Sequence, residues 1–95
     1  MKAEYIIDGA KFLSKNGFYN HVEELFTFGL NWKIGRNLNA FNDILHGGFG
    51  RHDCDEKIIV KWKNLKKSRE RLDEKFLEAA LEVLRDNENV TFHIT

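Results

Sequence analysis

Three short runs with strand character are set apart by long helical stretches, and that spacing narrows the possible folds more than any other feature of the chain. Residues 3–7 form a β-prone run that ends at the turn pair Asp8-Gly9. Ile58-Ile59-Val60-Lys61-Trp62 is a compact apolar run rich in β-branched residues, and Val90-Thr91-Phe92-His93-Ile94 alternates strictly. Strands so far apart cannot pair as tight hairpins, and right-handed crossovers make the small sheet parallel.

The intervening stretches have helical periodicity. Phe18, Val22, Leu25 and Phe26 fall on one stripe, which predicts a helix over roughly 17–28 with Asn16 as N-cap and Gly29 as its stop. Leu38, Phe41, Ile44 and Leu45 share an arc of about 120°, while Asn39, Asn42, Asp43 and His46 lie on the opposite arc, so a second helix shows its polar residues to solvent. Gly47-Gly48 ends it, and a polar loop over 49–56 follows. A short basic helix is expected over 65–72. A stronger one presents a broad apolar face of Phe76, Leu77, Ala79, Ala80, Leu81, Val83 and Leu84 and shows Glu74, Glu78, Glu82 and Arg85 on the other. The order strand, helix, helix, strand, helix, helix, strand predicts an α/β fold: a three-stranded parallel sheet packed with four helices, its strand order left open.

Ninety-five residues make one domain, 1–95, and twelve aromatics supply the apolar area that so short a chain needs to offset its conformational entropy. The single cysteine, Cys54, permits no internal disulfide and fits a reducing compartment; with no leader-like or membrane-spanning stretch, the cytoplasm is the expected location. Net charge is zero but unevenly spread. Seven of the fifteen basic residues fall in 57–71 against Glu70 alone, so that segment carries +6 and the remainder −6. A neutral total argues against a protein built to coat nucleic acid.

Gly35-Arg36-Asn37-Leu38-Asn39-Ala40-Phe41-Asn42-Asp43-Ile44-Leu45 resembles the signature of the barstar family, in which a Gly, an Asn-Leu, an acid followed by Ala, and an Asp one turn later open the second helix. His46-Gly47-Gly48-Phe49-Gly50 is similar to one branch of that family, and the order of elements agrees over the whole chain. The resemblance implies a non-enzymatic cytoplasmic inhibitor or immunity protein that blocks a ribonuclease, or a ribonuclease-like toxin, as a monomer in a 1:1 complex. A ribonuclease cleft is lined with cations that hold phosphate, so carboxylates on a rigid helix can stand in for the substrate.

Carried over by position, Asp43 matches the motif's second acid and Asn39 stands where the first is usual. Gly35 and Asn37 shape the approach, and Glu82 and Asp86 match acids of the last helix. Trp32, Lys33, Asn42 and His46 complete the expected contact set, with Trp32 serving either as an interface anchor or as core. Lys33 and Ile34 replace aromatics of the best-known member. Asp86 near a helix C-terminus, where the dipole disfavours an acid, is either retained for a partner or part of an Asp86-Asn87 turn.

Other chemistries fare less well. Arg51-His52-Asp53-Cys54-Asp55-Glu56 gathers ligand-type side chains without the paired spacing of a zinc site, so neither metal nor cofactor is expected. Four histidines with no completing residue set do not make a catalytic site. The lysines and arginines of 61–71 around Trp62 read as a solvated helix face, and no direct contact with nucleic acid or membrane is expected; nucleic-acid binding through this segment is the alternative function.

Overall fold

A computed structural model describes residues 3–27, 35–47, 53 and 55–95. Three strands, β1 (Ala3–Asp8), β2 (Ile58–Lys63) and β3 (Val90–Ile94), form a sheet in the order β1-β2-β3, with both neighbouring pairs parallel. Four helices connect them: α1 (Lys15–Phe26), α2 (Leu38–His46), α3 (Leu65–Arg71) and α4 (Glu74–Asp86). The expected α/β architecture and element order are therefore present, and the strand order follows the chain.

Register explains which face is covered. Tyr5, Val60 and Phe92 stand side by side, as do Ile7 and Trp62, and these rows face the core. The alternate rows, Glu4-Ile59-Thr91 and Ile6-Lys61-His93, lie on the other face, where Ile6 is 46% exposed and Glu4 pairs with Lys61 across the strands. The period of two thus sorts each strand into an inner and an outer set.

Phe18 of α1 joins the layers. Its ring stacks on Trp62 of β2 at 5.7 Å and meets Phe41 of α2 at 5.2 Å and Phe76 of α4 at 5.6 Å, both edge-on. All except Phe76, which is 8% exposed, are fully buried, and burial of each such side chain contributes about 1.5–3 kcal/mol. Trp62, one residue short of the end of its strand, is completely enclosed. Its indole N–H donates to Ser68 Oγ at 3.1 Å, and Ser68 is likewise fully buried. Gly9 passes so close to Ser68 and the Asn64 carbonyl that any Cβ there would collide with both.

One helix boundary differs from expectation. Ser14, not Asn16, caps α1: its Oγ accepts from the Gly17 N–H at 3.1 Å, so the helix starts two residues sooner and Asn16 sits exposed within its first turn. The hydroxyl is close to the donors of the next turn and wins over the amide that sequence preference favours. At the far end Thr27 follows the last helical residue and donates its N–H to the Glu23 carbonyl at 3.0 Å; Gly29, the expected stop, lies outside the described residues.

The outer edge of β1 is fastened by His21 of α1, whose Nε2 accepts the Asp8 N–H at 3.0 Å. That bond requires the neutral ring, and burial, with Lys11 nearby, holds the His21 pKa below its ordinary value. Asp8 in turn is held below the usual carboxylate range by hydrogen bonds from the Asn64 side chain and the Ala10 N–H, with Lys63 and Lys11 adding attraction.

Two predictions follow from these contacts. Ser68→Ala strands a buried indole N–H and lowers stability by about 1–3 kcal/mol, read from urea unfolding; an unchanged midpoint contradicts the assignment. Because folding depresses the His21 pKa, the unfolded chain takes up the proton first as pH drops below 6.5, and stability declines until the folded pKa is passed. Asp8 behaves likewise further down: its contribution is complete above 3.8 and drains away as pH falls through the folded value. Proton NMR should place the His21 midpoint below 6.5, with a falling unfolding midpoint between about pH 7 and 5; an unshifted titration excludes the clamp.

Candidate functional site

Helix α2 begins at Asn37, whose Oδ1 accepts the Ala40 N–H at 2.8 Å. Gly35 lies two residues before this cap, and a Cβ there would press on the Asn37 amide at 3.0 Å. Arg36 reaches back to α1, donating to Glu23 at 3.0 Å and to Asn20 at 2.6 Å, which fixes the approach to the helix. The helix ends at Gly47 with a φ of 95°, a conformation that glycine adopts without strain.

Seven of the nine residues of α2 fall into three rows along its length. Phe41, Ile44 and Leu45 are fully buried. Asn42 and His46, one turn apart and half-buried, line a groove shared with α4. Asn39 and Asp43, again one turn apart, are exposed, and Asp43 forms no ion pair or hydrogen bond with any described residue.

The groove, of about 870 Å³, runs between α2 and α4 at the amino end of the strands. Its apolar wall is Leu38, Ala79 and Val83, and four carboxylates, Asp55, Glu82, Asp86 and Glu88, face one ammonium, Lys57. Side-chain amides stitch it together. Asn87 Nδ2 donates to Asn42 Oδ1 at 2.8 Å and to the Val83 carbonyl at 2.7 Å, while Asn89 Nδ2 donates to the carbonyls of Leu45 at 2.8 Å and Glu56 at 3.2 Å. The segment before β2 joins the same rim: the Asp55 N–H donates to the His46 carbonyl at 2.6 Å, and its carboxylate lies 3.2 Å from His46 Nδ1.

Of the residues expected to contact a partner, the structure therefore gathers Asn42, His46, Glu82 and Asp86 around one groove and leaves Asn39 and Asp43 exposed on the adjoining row of α2. Gly35 and Asn37 shape the entry to that helix. Trp32 and Lys33 lie outside the described residues. Asp86 is the last residue of α4, exposed, and the Asn87 that follows is buried and also opens a turn, its carbonyl accepting from the Val90 N–H at 3.1 Å.

Sequence reasoning missed Asp55, Lys57, Glu88, Asn87 and Asn89. In a polar run such as Asp86-Asn87-Glu88-Asn89 nothing local separates an amide that bridges two elements from one that shapes a turn. The positive φ of Asp55, 59°, is similarly invisible without the backbone.

Among the described residues, no group of three or more His, Cys, Asp or Glu side chains could hold a metal ion, and no helix is long and apolar enough to cross a membrane. Cys54 and His52 lie outside the described residues. The site is a surface that can offer carboxylates and amides to a cationic partner. No curated protein matches the chain. The family model described as Barstar (barnase inhibitor) matches residues 3–93, nearly the whole length. Together with the parallel sheet and the helix that the motif opens, this match establishes that the chain belongs to the barstar family, the family of barnase inhibitors.

Proposed function

We propose that this chain inhibits a ribonuclease inside the cell that makes it, as a monomer in a 1:1 complex, by laying the exposed row of α2 into the enzyme's basic cleft. The observation that carries the reading is Asp43: an exposed acid without a partner among the described residues, on a helix whose other side is fully buried. A carboxylate so placed loses no existing ion pair on binding, and it meets cations that would otherwise grip phosphate.

Rigidity supports it. Phe41, Ile44 and Leu45 anchor α2 from behind, Arg36 ties its approach to α1, and Asn42 ties its flank to Asn87. Little ordering is then needed when the partner arrives, and unspent ordering cost appears as affinity. Around Asp43, Asn39 offers an amide one turn earlier, and Glu82 and Asp86 extend the negative field across the groove. Trp32 and Lys33, just upstream, would form the rim.

Barnase and related microbial ribonucleases are the enzymes to titrate, with cleavage of a fluorogenic RNA as readout. Stoichiometric inhibition is expected, with association slowed by added salt. Asp43→Ala should weaken inhibition roughly ten- to a hundredfold, the equivalent of about 1.5–3 kcal/mol, and more than Lys66→Ala or Lys67→Ala. The opposite ranking overturns the assignment of the face. Asn39→Asp should tighten binding, and it should also raise the unfolding temperature slightly, since an acid in the first turn complements the helix dipole by about 0.3–1 kcal/mol. Weaker binding by this variant would show that position 39 faces no cation.

A further inference from the structure

The cations of 61–71 do not share one role. Lys61 pairs with Glu4, and Arg69 pairs with Glu78 at 3.0 Å. Arg71 reaches the carbonyls of Gly9, Ala10 and Phe12 at 3.4–3.5 Å and so closes the turn after β1. Lys63, Lys66 and Lys67 are exposed and have no ion pair with any described residue.

Their position matters more than their number. Lys63 ends β2 beside Asp8, the last residue of β1, and the first turn of α3 carries Lys66 and Lys67 immediately afterwards. Lys11, exposed in the 3-10 turn Gly9–Lys11, joins them, because that turn packs against α3 and Lys11 acts on the same Asp8 carboxyl as Lys63. Of the acids nearby, Asp8 is already engaged by Asn64 and the Ala10 N–H, Glu70 lies one turn from Lys66 and Lys67 on α3, and Glu4 and Glu24 line a pocket with Lys11, so carboxylates border the lysines. Four exposed ammonium groups therefore cluster at the carboxyl end of the parallel sheet. The acidic groove lies at the amino end, roughly 17 Å away along β2 at about 3.3 Å per residue.

We propose that this lysine cluster, Lys11, Lys63, Lys66 and Lys67, is a second binding surface, which holds the phosphate backbone of double-helical RNA while the opposite end of the molecule remains free for its protein partner. Charge complementarity selects a polyanion. With no exposed aromatic ring among the described residues around these lysines to stack an unpaired base, a duplex, with its denser phosphates, is favoured over a single strand. The seven-residue α3 is too short to read a groove, so recognition is by charge and independent of sequence. The choice of RNA over other polyanions rests on the proposed function, since RNA is what a ribonuclease occupies; the surface itself does not depend on Asp43.

The test is fluorescence anisotropy of a short labelled RNA duplex mixed with the intact protein across a salt series. Four phosphate contacts predict a slope of log affinity against log salt of about −3.6. The triple variant Lys63→Ala, Lys66→Ala, Lys67→Ala should weaken binding at low salt at least roughly tenfold and flatten the slope to about −0.9. All three side chains are exposed and form no ion pair with any described residue, and circular dichroism would verify the unchanged fold. Asp43→Ala should leave RNA binding intact while impairing inhibition, so failure here is separable from failure of the inhibitor reading. Absence of binding at low salt, wild-type binding by the triple variant, or preference of these lysines for an acidic polypeptide over the duplex would each overturn the proposal.

Discussion

Parallel pairing decides how this molecule is laid out. Every strand must be re-entered from the same end, so each connection runs back along the sheet as helices, and all strand starts collect at one pole and all strand ends at the other. The residues just before β2 and β3, including Asp55, Glu88 and Asn89, consequently meet the C-terminal halves of α2 and α4, while Lys63 meets the turn after β1. A chain with no net charge is in this way divided into an acidic pole and a basic pole.

Within that frame, the aromatic contacts of Phe18 hold the layers in register. One ring on α1 touches rings from β2, α2 and α4, so the placement of α2 depends on a side chain that lines no part of the groove. The polar ties act at shorter range. Arg36, Asn87 and Asn89 set the tilt of α2 against α1, α4 and the segment before β2, and each satisfies backbone or side-chain groups that packing alone would leave unpaired.

The β-branched apolar run of 58–62, the period of two in 90–94 and the helical stripe of 38–45 were sufficient to read the fold, because burial imposes those patterns directly. The same patterns left the strand order open, which depends on tertiary packing. The exposure of Asn39 and Asp43 was legible for a related reason: they lie opposite the apolar arc. The groove was not, because it is assembled from residues 55–57, 79–83 and 86–89, brought together by the return of the chain and not by local spacing. The choice of Ser14 over Asn16 as cap is a competition between neighbouring oxygens for the same donors, which composition does not resolve.

The three rows of α2 keep separate accounts. Residues that hold the helix in place are not those that face outward at 39 and 43, and the groove row stands between them. A lineage can therefore exchange an acid for an amide at one outward position, or the reverse, and so change what that face presents while the hydrophobic interior goes unaltered. The outward chemistry of such a helix and the packing that seats it are inherited independently.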